Sequence, residues 1–578
     1  MRLKGAPASP GVGIGRVLIY REPDLNFGHV VYLGLEKEKK RLKAAIARFK
    51  EEIAVLAAIA EKKSGPSQAA ILTGQVAMIS DPFMLSQIEE LLAKGQVAEA
   101  AVAEVAQGYE DMFNGLDDEK TRQRATDIED MKRRLLSILL GVERLELSTI
   151  SDGVIVVALD LPASALTSLP MERVRALATE RGGLTSHGSI MARALGVPAV
   201  TGLVGLMGQA YEDGDLIVVD GSGGEIIIEP TAEEVEDYER RRSVWKADQA
   251  SLKFFLKKPA LDADGVKRVL GANIGGLADA RQAQEFGADG VGLFRTEFLF
   301  LDRASLPTEE EQTRVYAEVA GLFPDQEVII RTLDIGGDKR IPSLGVTKEE
   351  NPYLGLRGIR FCLARQDIFK SQLRALARAG AQRGNIKIML PLVISVEEVT
   401  LTQKLLAEAL AELSAEGLAH DARVKLGVML ETPAAALIVD LLAKVSDFFS
   451  VGSNDLTQYT LVADRGNPQV SHLCDPFHPA VLRNLNIVIA EAKKTQTPLG
   501  LCGEIGGDPW MLPLLLGFGL EKFSVSAPSL AAVRREMISW SVAEARELTE
   551  EVLTFTTAAR VKAFLKEAVA TKTKRTIR

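Results

Sequence analysis

The 578-residue chain has only three cysteines, Cys362, Cys474 and Cys502, and none forms part of a CxxC pair. That excludes a disulfide framework, argues against structural zinc and favours a reducing compartment, so any special cysteine must act alone. No apolar run approaches the roughly 20 residues that a membrane-spanning helix needs. The start, MRLKGAPASPGVGIG, lacks the charged-then-apolar layout of a secretory signal, so a cytoplasmic protein without membrane insertion is expected. There is no basic excess either: 69 Lys and Arg stand against 78 Asp and Glu, a net charge of −9. This balance argues against nonspecific nucleic-acid binding and fits a basic partner. A P-loop, GxxxxGK followed by Ser or Thr, is absent.

The chain does have length and apolar residues, at 47%, enough for two to four domains with separate cores. Residues 1–20 read as strands and turns. From about Leu33 to Leu140 the pattern turns helical: Leu42, Ile46, Phe49, Ile53 and Leu56 form one stripe, and further helical stretches cover Ile71 to Leu92, Val97 to Phe113 and Asp117 to Leu140. Strand-like runs return in GVIVVAL, AVTGLV and DLIVVDGSGGEIIIEP, the last a hairpin with a Gly-rich turn. The reading is an α/β domain interrupted by a helical bundle, then a polar linker helix over Thr231 to Lys257. After Pro259 apolar runs alternate with amphipathic helices for about 300 residues, the rhythm of a β/α barrel. These runs are VKRVLGANI, GVGLFRTEF, EVIIRTLDIGG, IKIMLPLV, LGVMLETP, DFFSVGSNDL, PLGLCGEIGG and KFSVS. Arg295, Arg331, Asp334, Glu431, Asn454, Asp455, Cys502 and Glu504 each follow such a run, where barrel enzymes build active sites.

Four constellations carry chemistry. In GGLTSHGSIMAR two glycines turn the chain and a helix is expected to begin near His187; free amides and the helix dipole would stabilise a phosphoryl group on the imidazole, with Thr185, Ser186 and Ser189 as further donors. A neutral imidazole can attack phosphorus without a separate strong base. A helix-capping histidine is the alternative, and His29, His420, His472 and His478 lack the small-residue frame. Arg295, Arg331 and Arg357, with Arg465 and Lys339, imply a small polyanionic ligand, against the alternative of structural salt bridges. Glu431 and Asp455, on consecutive strand ends, suit Mg²⁺, against ion pairing with those arginines. Cys502 is either a buried small hydrophobe or a general acid for an enolate carbon, and spacing leaves both open.

Taken together, GGLTSHGSIMAR, GVGLFRTEFLF, RTLDIGGDK, NPYLGLRGIR, ETPAAA, VGSNDLTQYTLVADRGNP and LCGEIGGDP resemble the Enzyme I family of bacterial sugar phosphotransferase systems, the phosphoenolpyruvate-protein phosphotransferases. The resemblance implies a multidomain α/β protein: a swivelling phosphohistidine α/β domain (1–20 and 146–230), an inserted helical subdomain (21–145) that docks the carrier protein HPr, a linker helix (231–260), and a C-terminal (β/α)8 barrel (261–578) that binds phosphoenolpyruvate and forms a homodimer. It further implies that His187 is phosphorylated, that Arg295 and Arg331 bind the phosphoryl group, and that Glu431 and Asp455 hold Mg²⁺. Asn454 and Arg465 would bind substrate, Arg357 and Lys339 would lie near it, and Cys502 would protonate the enolate of pyruvate. Two departures stand out: Pro162-Ala163-Ser164-Ala165 replaces Thr-Pro-Ser-Glu, and Gln75 occupies a position where many relatives have histidine. A pyruvate phosphate dikinase or phosphoenolpyruvate synthase would also need an ATP-binding domain, for which the helical insert is too short. A non-catalytic scaffold would not be expected to keep His187, Cys502 and both carboxylates.

Overall fold

A computed structural model describes residues 1–21, 25–64, 66–114, 119–142, 150–161, 165, 169–183, 187–300, 305–336, 349–467 and 469–576. The chain forms two compact units, Met1–Gln249 and Ala250–Arg578.

In the first unit, β-branched runs separated by glycine build an eight-stranded sheet. Its strands are β1 (Arg2–Lys4), β2 (Ala6–Ser9), β3 (Val12–Tyr20), β4 (Val154–Ala158), β5 (Val174–Thr179), β6 (Ala199–Thr201), β7 (Leu216–Asp220) and β8 (Glu225–Ile228), in the order β1-β8-β7-β3-β4-β5-β6-β2. Strands β3 to β6 are parallel, and β7 and β8 form the expected hairpin, where Asp220 accepts the amides of Ser222 and Gly223 at 3.0 and 2.8 Å. Alternation divides β4 between two cores, Val154, Val156 and Ala158 on one face and Ile155 and Val157 on the other. That is why its sequence is an unbroken apolar run. AVTGLV makes a shorter strand than its composition suggests, because Gly202 and Gly205 turn the chain at φ of 72° and 79°.

Between β3 and β4 the described residues form α1 (Leu35–Ser64), α2 (Pro66–Ile79), α3 (Pro82–Ala93), α4 (Ala98–Asn114) and α5 (Glu119–Leu140). Leu42, Phe49 and Ile53 of the predicted stripe are buried and Ile46 packs against them; the side chain of Leu56 lies outside the described residues. The stretch from Ile71 to Leu92 is divided between two helices. Pro82 lacks an amide donor, and Asp81 caps the new start by accepting from the amides of Phe83 and Met84 at 2.8 and 3.1 Å. Later come α6 (His187–Leu195) and α7 (Ala232–Leu252); α7 is polar, and Tyr238 is its buried residue.

The second unit is a closed parallel barrel of β9 (Val269–Ile274), β10 (Val291–Arg295), β11 (Val328–Arg331), β12 (Ile386–Leu390), β13 (Lys425–Leu430), β14 (Phe448–Val451), β15 (Leu499–Leu501) and β16 (Lys522–Ser526). Strand β16 returns to β9 from the pair Lys522 and Val269 to the pair Ser526 and Asn273, which closes the ring. All eight apolar runs picked out in the sequence are barrel strands. Outward residues such as Val328, Ile330, Val428 and Val451 lie in the core beneath the helices, while Leu293, Met389, Met429 and Phe448 form a separate core inside. Because strand side chains alternate, the next inward positions after Leu293, Ile329 and Met429 are Arg295, Arg331 and Glu431. Capping boxes Thr308–Glu311, Ser395–Glu398 and Ser541–Glu544 start three of the surrounding helices. Among the described residues, no helix is long and apolar enough to cross a membrane.

Candidate active site at the barrel mouth

Arg331 closes β11 facing inward, and its guanidinium is clamped by carboxylates. Nη2 donates to Glu297 Oε1 at 2.9 Å, and Nη1 lies 3.0 Å from Asp334 Oδ2. Arg357 forks onto Asp334 through Nε and Nη2 at 2.9 and 3.0 Å, and its Nη1 reaches Asp455 Oδ1 at 3.4 Å and Tyr459 Oη at 3.3 Å. Arg465 approaches the same Asp455 oxygen at 3.4 Å. Buried charge is tolerable only when opposite signs interleave in this way. Burial alone would lower both guanidiniums; the carboxylates outweigh it, Glu297 and Asp334 around Arg331, and Asp334 and Asp455 around Arg357, so both are held above the usual arginine range.

Glu431 follows β13. Its Oε1 accepts the Leu392 amide at 2.6 Å, whereas Oε2 is buried with no hydrogen-bond partner among the described residues. Burial, reinforced by the charges of Asp455 and Asp334, pushes its carboxyl up to about 8 against the pull of Arg331 and Arg357. A Cβ at residue 452 would stand 2.6 Å from Oε2, so Gly452 is what lets the carboxylate lie there. Arg331 Nε is likewise buried without a partner among the described residues. The cluster thus holds both an unused acceptor and an unused donor, the signature of a site that expects a ligand. No group of three or more His, Cys, Asp or Glu at metal-ligand spacing occurs among the described residues. Two carboxylates nonetheless suit a hard divalent cation that takes the rest of its shell from water and phosphate.

Cys502 follows β15 and is buried, with Sγ donating to the Val451 carbonyl at 3.6 Å. Burial pushes the thiol up to about 11, so it is a neutral proton donor at ordinary pH. Asn273, at the inward end of β9, fixes this turn: Nδ2 donates to the carbonyls of Cys502 and Ser524, each at 3.2 Å, while Oδ1 accepts from Ser524 Oγ at 2.7 Å.

The structure therefore gathers Arg331, Arg357, Glu431, Asp455, Arg465 and Cys502 at one end of the barrel. Arg295 is the register partner of Arg331, and Asn454 accepts the Glu504 amide at 3.4 Å. Lys339 lies outside the described residues. His187 belongs to the first unit, where it begins α6 as expected, although its side chain is outside the described set. Gly182 turns the chain ahead of it at φ 101°. The buried hydroxyl of Ser189 donates to the Gly183 carbonyl at 2.7 Å and so braces the loop ahead of α6. Thr185, Ser186 and Pro162 to Ser164 lie outside the described residues; Ala165 and Gln75 are buried. Glu297, Asn273 and Tyr459 were not singled out from sequence. Glu297, two residues beyond Arg295, and Asn273, at the end of its apolar run, carried the same strand-end signal.

Three family models match: "PEP-utilising enzyme, PEP-binding domain" over residues 249–542, "PEP-utilising enzyme, N-terminal" over 4–124, and "PEP-utilising enzyme, mobile domain" over 150–224. The phosphoenolpyruvate-protein phosphotransferase of Bacillus subtilis is 41% identical over 566 residues, 98% of this chain and 99% of that protein. The chain belongs to the phosphoenolpyruvate-protein phosphotransferase family. Other members are similar over comparable lengths. That of Geobacillus stearothermophilus is 40% identical over 98% of this chain and 97% of its own, and that of Staphylococcus aureus 40% over 95% and 96%. The chain is accordingly an enzyme, a phosphotransferase that uses phosphoenolpyruvate, and the charged cluster lies in the region matched by the phosphoenolpyruvate-binding model.

Proposed function

We propose that the chain moves the phosphoryl group of phosphoenolpyruvate onto His187, releases pyruvate, and passes the group to the carrier protein HPr as the first step of sugar uptake by a phosphotransferase system. The carrying observation is the barrel-mouth cluster, where clamped guanidiniums and a carboxylate oxygen without a partner among the described residues stand beside a neutral thiol. Arg295, Arg331, Arg357, Arg465 and Lys339 neutralise phosphoryl and carboxylate oxygens, and Asn454 orients the substrate. Glu431 and Asp455 would hold Mg²⁺, which when bound supplies charge neutralisation for phosphate and enolate; the orphaned Glu431 oxygen fits that role. A ring nitrogen of His187 attacks phosphorus and the bond from phosphorus to the enol oxygen breaks. Cys502 then gives its proton to the enolate carbon, leaving a thiolate and pyruvate. The position of His187 at the first residue of α6 favours the phosphorylated imidazole.

The helices α1 to α5 would dock HPr, the barrel would mediate homodimerisation, and the setting would be cytoplasmic. Delivery to a second protein requires His187 to visit two addresses in turn, with the polar α7 as the hinge-bearing segment. The test is incubation with radioactive phosphoenolpyruvate, Mg²⁺ and candidate HPr proteins. Acid-labile phosphate should appear on the wild-type chain, move to HPr, and be absent from His187→Ala; full labelling of that variant would end the assignment.

A further inference from the structure

We propose that Gln372, acting with Thr296, is a positioning residue for phosphoryl transfer: from behind the barrel wall its amide sets the spacing of two carboxylates that hold Arg331. This rests on the reading of Arg331 as a group that receives the phosphoryl oxygens. Arg331 is gripped at both terminal nitrogens, Nη2 by Glu297 at 2.9 Å and Nη1 by Asp334 at 3.0 Å. The residues just before those carboxylates are Thr296 and Leu333, and Gln372 binds both. Its Oε1 accepts the Leu333 amide at 3.0 Å, and its Nε2 donates to Thr296 Oγ1 at 3.2 Å. The Thr296 hydroxyl then donates to the Arg331 carbonyl at 2.9 Å.

Gln372 lies on the helix Gln366–Gly380, in a buried stripe with Ile368, Phe369, Leu373 and Leu376, where an apolar residue would be the ordinary choice. Thr296 is the first residue past the ladder that pairs Arg295 with Arg331, so its hydroxyl continues the joint between the two strands where backbone pairing stops. The Leu333 N–H can only donate, which fixes Oε1 on its side and turns both Nε2 hydrogens toward hydroxyls. One hydroxyl is that of Thr296. The other is Tyr316 Oη at 3.2 Å, which donates in turn to Gln312 Oε1 at 3.2 Å, and Gln312 Nε2 donates to the Pro307 carbonyl at 3.1 Å.

Thr296 and Tyr316 are 0% exposed and Gln312 and Gln372 1%, and none of the four has a buried polar atom without a partner among the described residues. A buried network satisfied in this way has one arrangement, because any slip strands a donor or acceptor away from water. It therefore carries the position of the helix to both strand ends, and through them to Glu297 and Asp334.

The test follows acid-labile phosphoenzyme on the full chain after rapid mixing with radioactive phosphoenolpyruvate and Mg²⁺, giving a maximal rate and a half-saturating phosphoenolpyruvate concentration. Gln372→Met and Thr296→Val should each lower the maximal rate by about 10-fold or more, because a displaced guanidinium matters most where charge moves. Half-saturation should stay within about 2-fold. Thr296→Val is the decisive variant, since it keeps the shape of the side chain even where Gln372→Met unfolds the chain. Thr296→Ser restores the hydroxyl, and Tyr316→Phe removes a bond to the same amide on the side away from Arg331; both should stay within about 3-fold of the wild-type rate. A wild-type maximal rate in Thr296→Val overturns the proposal. A loss in Thr296→Ser or Tyr316→Phe equal to that of Thr296→Val overturns it too, since that would mark a generally loosened core. Arg331→Lys separates the two readings: a wild-type maximal rate there removes Arg331 from phosphoryl transfer itself, whereas a slow Arg331→Lys beside a fast Thr296→Val ends only the positioning role.

Discussion

Replacing Asp334 with alanine removes contacts from the barrel mouth that include those at 2.9 and 3.0 Å to Arg357 and 3.0 Å to Arg331. At that separation, with an effective dielectric of about 20, each charge pair is worth about 5 kcal/mol before desolvation. Desolvation offsets most of this in the intact cluster, but the arginines remain buried when their partner is lost, so breaking a buried pair costs about 3–5 kcal/mol. Here Arg331 keeps Glu297 and Arg357 keeps Asp455, which places Asp334→Ala near the lower end, about 3 kcal/mol. Screening gives little relief, since the Arg331 and Arg357 side chains are 10% and 7% exposed. Asp334→Asn keeps an acceptor for Arg357 without the charge and should lose about half as much. Urea unfolding followed by tryptophan fluorescence measures the effect; Trp510 and Trp540 report the barrel unit, and Trp245→Phe silences the other. A loss below about 1 kcal/mol in both variants would refute the buried-cluster argument, because that is the range of solvated pairs.

Cys502 should resist alkylation in the native chain at pH 8 by about 100-fold relative to the unfolded chain, because a thiol raised by burial to about 11 supplies little thiolate; peptide mapping of iodoacetamide adducts would read this, and rapid modification would contradict it. Gly452→Ala would drive a methyl against Glu431, 2.6 Å from Oε2 and 2.8 Å from Cβ, and should raise the Mg²⁺ concentration for half-maximal phosphoenzyme formation by about 10-fold; an unchanged value would detach Glu431 from the metal. Burial would raise the Glu327 carboxyl, but hydrogen bonds from Lys387 and Lys522 take it below the usual glutamate range. Its contribution is therefore present above the unfolded value and lost as pH falls through the folded one. Glu327→Gln should cost about 1 kcal/mol at pH 7, small because the carboxylate is 43% exposed, with the gap closing below about pH 4; a gap that persists there in acid unfolding would exclude the ionic origin.

The eight barrel strands and the stripe of α1 could be read from residues because period-two and period-3.6 patterns are written in near neighbours. The same alternation that turns Ile329 and Met429 into the barrel aims Arg331 and Glu431 at the mouth, so those positions followed from spacing alone. The division of the helical stretch at Asp81 and Pro82 also had a local signal, a cap followed by a residue without an amide proton. The Ser189 contact did not: nothing local to a hydroxyl beside a glycine loop names the Gly183 carbonyl as a partner, and the folded loop brings the two together.

By itself, then, the sequence determined the alternating elements, the barrel class, and the inward ends where charge gathers. Tertiary structure decided which groups meet: Asn273 with the Cys502 carbonyl 229 residues away, Glu297 with Arg331, and Glu431 left with one oxygen unpartnered among the described residues. The reason is geometric. Strand periodicity is a property of a few adjacent residues, whereas partners across a closed ring depend on the stagger of all eight strands at once.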